Sequence, residues 1–400
     1  MGFIARDGDL LLQVTKRLPL PDGVTQRPEL AYISLSRRST ILPAQPLIDS
    51  LVLLEATASR AGYGTWGEGL AYLGLDHEAM KPVLENLGVA IDKAPVTAQS
   101  AATVANDPVF QARVAEERER QKKALSNYLK QHQIGRDPSM ILVDIGWRGS
   151  ILRNLQRAFA SDPTFRCPRA AFFGLWPEDG NLLDLPVDSV GLISDRRQRS
   201  NIMEGSSWYV AFLLEAVCRA DEGTTIGYVE MNGKLEALHA PKSPSRDAEA
   251  ETRGIADQIR RGILEYAETQ GGHPDWVRAS DSLLRSKAQR ALLRLGFFPT
   301  LTEIALGEKL VHTETHSPDW ATALISGDKP NPLLSPRQWL AGFASPWRAG
   351  YVRSTGGFPL AATLLLFESV LLALPPSVKT YLTEYAREVA GINRNRESKG

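Results

Sequence analysis

The chain has 400 residues, 46 Lys plus Arg against 46 Asp plus Glu, and 43% apolar residues. Zero formal charge argues against a surface built as a polyanion clamp, because neutralising many phosphates needs a surplus of cations, but it leaves room for a local site for one phosphate. The apolar content is too high for a disordered chain, and Cys167 and Cys218 supply neither a disulfide framework nor a cysteine zinc site.

The N-terminus, MGFIARDGDL, lacks the layout of a secretory signal, and Arg6 stands where a myristoylation motif needs Ser or Thr. With so few cysteines the expected location is the cytoplasm. Gly2–Ala5 is a short apolar strand broken by Arg6-Asp7-Gly8-Asp9, after which Leu10, Leu11, Val14 and Leu18 recur at helical spacing. Leu30–Ser34 is a second strand, ended by Leu35-Ser36-Arg37-Arg38-Ser39, and Pro43–Ala58 reads as helix.

Residues 60–135 change character, from the Gly-rich AGYGTWGEG into several helical stretches. Asp107 caps a long helix with Pro108 at its first position. Its middle, Ala115–Lys123, is a solvated face with i,i+4 pairs such as Glu116 with Arg120.

Ser139–Asp144 is the clearest buried strand, followed by the turn Ile145-Gly146-Trp147-Arg148-Gly149-Ser150 and a helix over Ile151–Phe159. Ala170–Leu175 and Val190–Ser194 are further strands. Strands alternating with helices predict an α/β fold, a mostly parallel Rossmann-like sheet with a helical insertion at about 60–135. That gives an α/β domain over 1–200 and a mainly helical domain over 201–400. The latter has helices over Trp208–Cys218, Glu249–Thr269, Ser280–Leu295, Leu360–Leu374 and Ser377–Val389. One hairpin, Thr225–Met231 with Lys234–His239, turns on Asn232-Gly233. Pro241–Arg246 (PKSPSR) reads as a loop. Phe358–Leu374 has the minimum length of a membrane span, but Glu368 near its centre predicts a buried core helix instead.

Three turns follow apolar strands: RDGD, SRRS and DIGWRGS. Ligands of open α/β sheets bind beyond the carboxyl ends of the strands, where helix N-termini present free N–H groups to anions. The candidate phosphate-binding residues are therefore Arg6, Gly8, Ser36, Arg37, Arg38, Gly146, Trp147, Arg148, Gly149 and Ser150, with Asp7, Asp9 and Asp144 as the acidic groups beside them. Asp195-Arg196-Arg197-Gln198-Arg199 forms a fourth such turn.

ILVDIGWRGS resembles the strand–loop–helix of type I phosphoribosyltransferases, in which acidic residues hold the ribose hydroxyls, often with Mg²⁺, and a Gly-rich loop cradles the phosphate. The resemblance implies Asp144 as ribose or Mg²⁺ contact and Gly146, Gly149 and Ser150 as cradle, with Ile145 standing where the motif has a second acid. FIARDGDLLL resembles the first motif of haloacid-dehalogenase-type (HAD) phosphohydrolases. That implies Asp7 as nucleophile, Asp9 as general acid/base, a Ser from YISLS and Asp144 as Mg²⁺ ligand. Together, FIARDGDLLLQV, YISLSRRS, ILVDIGWRGSI and LLEAVCRADEGTTIGYVEMNGKLEAL resemble the C-terminal region of bacterial HAD-superfamily hydrolase-like proteins associated with surface-polysaccharide gene clusters. In those proteins a HAD domain lies upstream of the RDG phrase, so the resemblance implies that this chain lacks it.

Elsewhere, His312, Glu314, His316 and Asp319 read as a solvated loop. Glu204 and Glu215 interrupt an apolar helical stretch, and Glu215 is either paired with an arginine of the loops or solvent-facing. Trp347-Arg348 reads as packing, and the eight tryptophans show no stacking cluster. The leading expectation is binding or transfer of a phosphorylated sugar or nucleotide at the strand-end turns. A Mg²⁺-dependent HAD-type phosphohydrolase and a non-catalytic accessory protein are the alternatives. Expected partners are a phosphorylated small molecule or nucleotide sugar, with Mg²⁺ admitted, a protein partner admitted, and neither an organic cofactor, nucleic acid nor a membrane span.

Overall fold

Five short apolar segments frame the protein. In the computed structural model, which describes residues 1–20, 23–59, 62–92, 96–176, 188–197, 201–241, 243–313, 321–325, 328–342 and 345–373, they are β1 (Gly2–Ile4), β2 (Ala31–Ile33), β3 (Ile141–Trp147), β4 (Arg169–Leu175) and β5 (Ser189–Asp195). They form one all-parallel sheet in the order β2-β1-β3-β4-β5. Chain order reverses between β1 and β3, so the crevice outside their carboxyl ends is the topological switch point of the sheet. The predicted α/β Rossmann-like architecture is the observed one.

Alternation along the strands sends successive side chains to opposite faces. Phe3 pairs in register with Val143, and both pack on Leu12 of the helix α1 (Gly8–Arg17). Ile4, Ile33 and Leu142 face the other way, against Leu152 and Leu155 of α3 (Ser150–Ala158) and against Tyr128 and Leu129. The helix α2 (Arg37–Ala44) packs beside α3 on this side.

Between β2 and β3 the chain builds a helical layer: α2, then Ser50–Thr57, Trp66–Leu73, His77–Asn86, Ala98–Ala105 and the long helix Pro108–Gln131. Leu42, Ile48, Leu70, Leu73, Leu84, Val104 and Phe110 give it an apolar core of its own. Its helix starts are set locally. Ser36, Thr65 and Thr97 each close a capping box. Asp107 accepts the Phe110 N–H at 2.7 Å, with Pro108 in the first turn as its spacing predicts. On the solvated face Arg120 pairs with Glu117, one turn back, rather than with Glu116.

Most of the remaining chain packs on the α1 face of the sheet, while the hairpin joins the opposite face. Leu10 and Ile145 share a core with Val217 and Cys218 of α4 (Ala211–Cys218), and Ala256 of α5 (Pro244–Gln270) joins it. Leu324, Trp347 and Tyr351 complete the cluster. The predicted hairpin forms as β6 (Thr225–Met231) and β7 (Lys234–His239), with Asn232 and Gly233 both at positive φ, 53° and 75°. Tyr228 stacks on Tyr128 at 4.3 Å, tying the hairpin to the helical layer.

Four expectations are corrected. The SRRS turn is the first turn of α2, because Ser36 caps it. Part of PKSPSR is helix, since α5 starts at Pro244. His312 lies not in a solvated loop but buried in β8 (Val311–Thr313), paired with β9 (Ala321–Ala323); His316, Glu314 and Asp319 lie outside the described residues. Finally, the apolar C-terminal helix α6 (Arg348–Ala373) is not a core helix. Trp347, Tyr351 and Val352 are buried, but the chain kinks at Gly357 (φ 66°) and beyond it Phe358, Leu366, Phe367 and Val370 face outward. By length and composition Arg348–Leu371 is long and apolar enough to cross a membrane, and 11% of its most apolar stretch is buried. The expected helix Ser377–Val389 lies outside the described residues.

Candidate functional site

At the switch point three carboxylates converge from distant parts of the chain. Asp7 stands at the N-cap position of α1, yet its side chain makes no capping hydrogen bond. Asp144 lies midway along β3, 9% exposed. Glu215 projects from α4 and accepts the Trp147 indole N–H at 2.8 Å. Burial is the largest influence on all three and pushes each carboxyl up. For Asp144 and Glu215 the negative charge of Asp7 is the next cause. Asp144 is raised to about 8, against the pull of the Ile145 and Gly146 backbone N–H groups and of Arg37. Near neutral pH it therefore holds a proton that an exposed aspartate would have lost, and it can donate as well as accept.

Cations surround these carboxylates unevenly. Arg37, exposed in the first turn of α2, lowers Asp7, Asp144 and Glu215 alike, so it faces all three. Arg219 and Arg6 favour the charged form of Asp7, and both also reach Glu249 of α5, Arg6 at 3.5 Å. Thr313 donates to the same Glu249 oxygen. His312 Nδ1 lies 3.5 Å from Glu215 Oε2, with its ring 4.3 Å from Phe212. A cleft of about 70 Å³ opens beside this rim, between Arg219, Glu249 and Arg253.

Other expected site residues serve the fold. Arg38 turns away from the crevice into the helical layer, donates to the Ala71 carbonyl at 2.5 Å, and is held below its ordinary range by burial. Ser36 is spent on capping α2 and on the Thr225 carbonyl, at 2.5 Å. Asp9 pairs with Arg260, whose other nitrogen caps the last carbonyls of α4. Gly8 lets α1 lie on β1, since a side chain there would press on the Phe3 backbone 3.0 Å away.

The DIGWRGS segment divides. Asp144 to Trp147 continue the strand, not a loop. Gly146 sits at φ 120°, where a Cβ would fall 1.9 Å from the Gly174 carbonyl oxygen, so only glycine fits between β3 and β4. Arg148 is exposed just beyond the strand. Gly149, left-handed at φ 65°, is the N-cap of α3 and Ser150 its first residue. A glycine cap contributes no side chain, so no side-chain hydrogen bond covers the first-turn N–H groups of α3. The described part of the fourth turn is used internally: Arg197 binds Asp195, and Arg196 lies over the Trp176 ring, 4.6 Å from its centre; Gln198 and Arg199 lie outside the described residues. Glu204 is also structural, held by Arg285 at 2.6 Å and by the Asp195 N–H at 2.8 Å.

The residues missed in sequence are Arg219, Glu249 and His312. Only the pair Glu215 and Arg219, four apart in an otherwise apolar stretch, left a signal. Among the described residues no group of three or more His, Cys, Asp and Glu is disposed to hold a metal ion. No protein-family model matches this chain, and no curated protein matches it.

Proposed function

We propose that the chain binds a phosphorylated sugar or nucleotide in the crevice outside β1 and β3, as a transferase-like site of sugar metabolism. The observation that supports this reading is the convergence of Asp7, Asp144 and Arg37 at the switch point, the position where open α/β sheets bind ligands. Arg37 and the amides at the start of α3 meet the phosphate. Asp144, protonated near neutral pH, donates to a ligand oxygen, and Asp7 accepts from a hydroxyl. Two carboxylates, of which Asp7 raises Asp144 by its charge, also suit one magnesium ion, which commonly takes one or two carboxylates with water and substrate phosphate. Bound there, it would polarise a phosphate oxygen. The resemblance of FIARDGDLLLQV and its companion phrases to proteins of surface-polysaccharide clusters agrees with a sugar-linked ligand.

A second reading, Mg²⁺-dependent phosphoryl transfer to Asp7, is favoured by the uncapped Asp7 carboxylate beside Asp144. It loses its general acid, because Asp9 is held by Arg260. The test is thermal denaturation of native protein and Asp144→Ala with ribose 5-phosphate, nucleoside diphosphates and nucleotide sugars, with and without Mg²⁺. Ligand at a hundred times its dissociation constant adds about 2.7 kcal/mol, so a rise in Tm is expected for native protein and not for Asp144→Ala. No rise with any phosphorylated compound overturns the proposal. Mg²⁺-dependent phosphate release abolished by Asp7→Asn transfers it to the second reading, and binding without turnover to an accessory role.

A further inference from the structure

Three of the eight tryptophans that look scattered in sequence meet at the carboxyl edge of the sheet. Trp147 ends β3, Trp176 follows β4, and Trp208 begins the turn leading into α4. The Trp176 N–H donates to the Trp147 carbonyl at 2.5 Å, while the Trp147 indole reaches Glu215 of the crevice. Trp208 stacks on Trp176 with ring centres 5.3 Å apart and planes inclined 27°. The Arg196 guanidinium packs on the same Trp176 ring. Gly205 leaves space for that ring, whose edge would lie 3.0 Å from a Cβ there. Trp208 remains 38% exposed, an unusual placement for so large a ring.

A stack of this kind, cation on ring on ring with the last ring exposed, is a platform that a further planar ring extends. The ends of β4 and β5, which Trp176 and Arg196 follow, lie about 10 Å, or two strand spacings, from those of β1 and β3. That separation suits the distance between the base and the phosphates of an extended nucleoside diphosphate. We propose that Trp208, backed by Trp176 and Arg196, stacks the base of a nucleoside diphosphate or nucleotide sugar whose phosphates lie in the β1–β3 crevice. This rests on the phosphorylated-ligand reading above and narrows it, since a simple sugar phosphate has no planar ring to stack.

The test is titration calorimetry with UDP, ADP and ribose 5-phosphate on native protein, Trp208→Ala, Trp208→Phe and Arg37→Gln, with thermal denaturation as the folding control. One base–aromatic stack corresponds to about 5- to 150-fold in affinity. UDP or ADP is expected to bind at least ten-fold tighter than ribose 5-phosphate. Trp208→Ala should remove that advantage while leaving ribose 5-phosphate within two-fold, and Trp208→Phe should keep most of it. Arg37→Gln should weaken all three compounds. Equal binding of ribose 5-phosphate and nucleotides, or Trp208→Ala weakening all compounds alike, overturns the platform and leaves the crevice reading standing. If none of the three compounds binds native protein, the crevice reading fails with it.

Discussion

The helical layer between β2 and β3 and the crevice at the ends of β1 and β3 use burial for opposite purposes. In the layer, Leu42, Leu70, Leu73, Leu84 and Phe110 are buried against one another, and every atom gains from losing water. In the crevice, Asp7, Asp144 and Glu215 are desolvated side by side, and all three are pushed toward the neutral form. The first region stabilises the fold. The second stores unfavourable electrostatics that a ligand or cation relieves, which is the usual relation between a site and its scaffold. Arg37 and Arg38 show the boundary at single-residue resolution: neighbours in sequence, one faces the carboxylates and the other is sunk in the layer.

The comparison breaks first at the layer's core. Phe110→Ala is expected to cost about 3–5 kcal/mol, read as a fall in the urea midpoint. A cost under about 1 kcal/mol would mean the layer is not packed as described. Next, Arg38→Gln removes the bond to the Ala71 carbonyl and should cost about 1–3 kcal/mol without altering ligand affinity.

The crevice should respond to pH instead. Asp144 has a folded pKa of about 8 against an ordinary 3.8. Between those values the folded chain keeps a proton that the unfolded chain releases, so stability falls as pH rises through this window, by at most about 1.4 kcal/mol per pH unit. Asp144→Asn should remove that slope, so its margin over native protein is smaller at pH 5 and widens toward pH 8. Urea titrations at the two pH values check it, and identical slopes for both proteins would sink the assignment. The smallest stability effect belongs to Arg37→Gln, expected within about 0.5 kcal/mol of native. Its signature is lost ligand binding at unchanged Tm, the inverse of Arg38→Gln.

Much of the fold was legible in the chain because its signals are local. Apolar runs such as FIA and ILV mark the strands, Asp107-Pro108 marks a helix start, and Asn232-Gly233 marks a hairpin whose pairing needs no distant partner. The turn after β1 and the apolar run of β3 also marked Asp7 and Asp144 as acidic groups at strand ends. Their neighbours were less legible. Ser36, Arg38 and Asp9 share the residue types of a phosphate site, yet capping, a backbone carbonyl and Arg260 absorb them. The apolar run in α6 reads as core, but the kink at Gly357 carries it past the core surface.

By itself, the sequence determined the alternation of strand and helix, the capped helix starts and the tight hairpin, since these follow from interactions within a few residues. Only the tertiary structure decided that Glu215 and Arg219 join Asp7, that His312 is buried beside them, and that Trp176 and Trp208 stack. It also decided that Asp144 keeps its proton, because desolvation and like charge act through space, and the like charge, Asp7, lies 137 residues away along the chain.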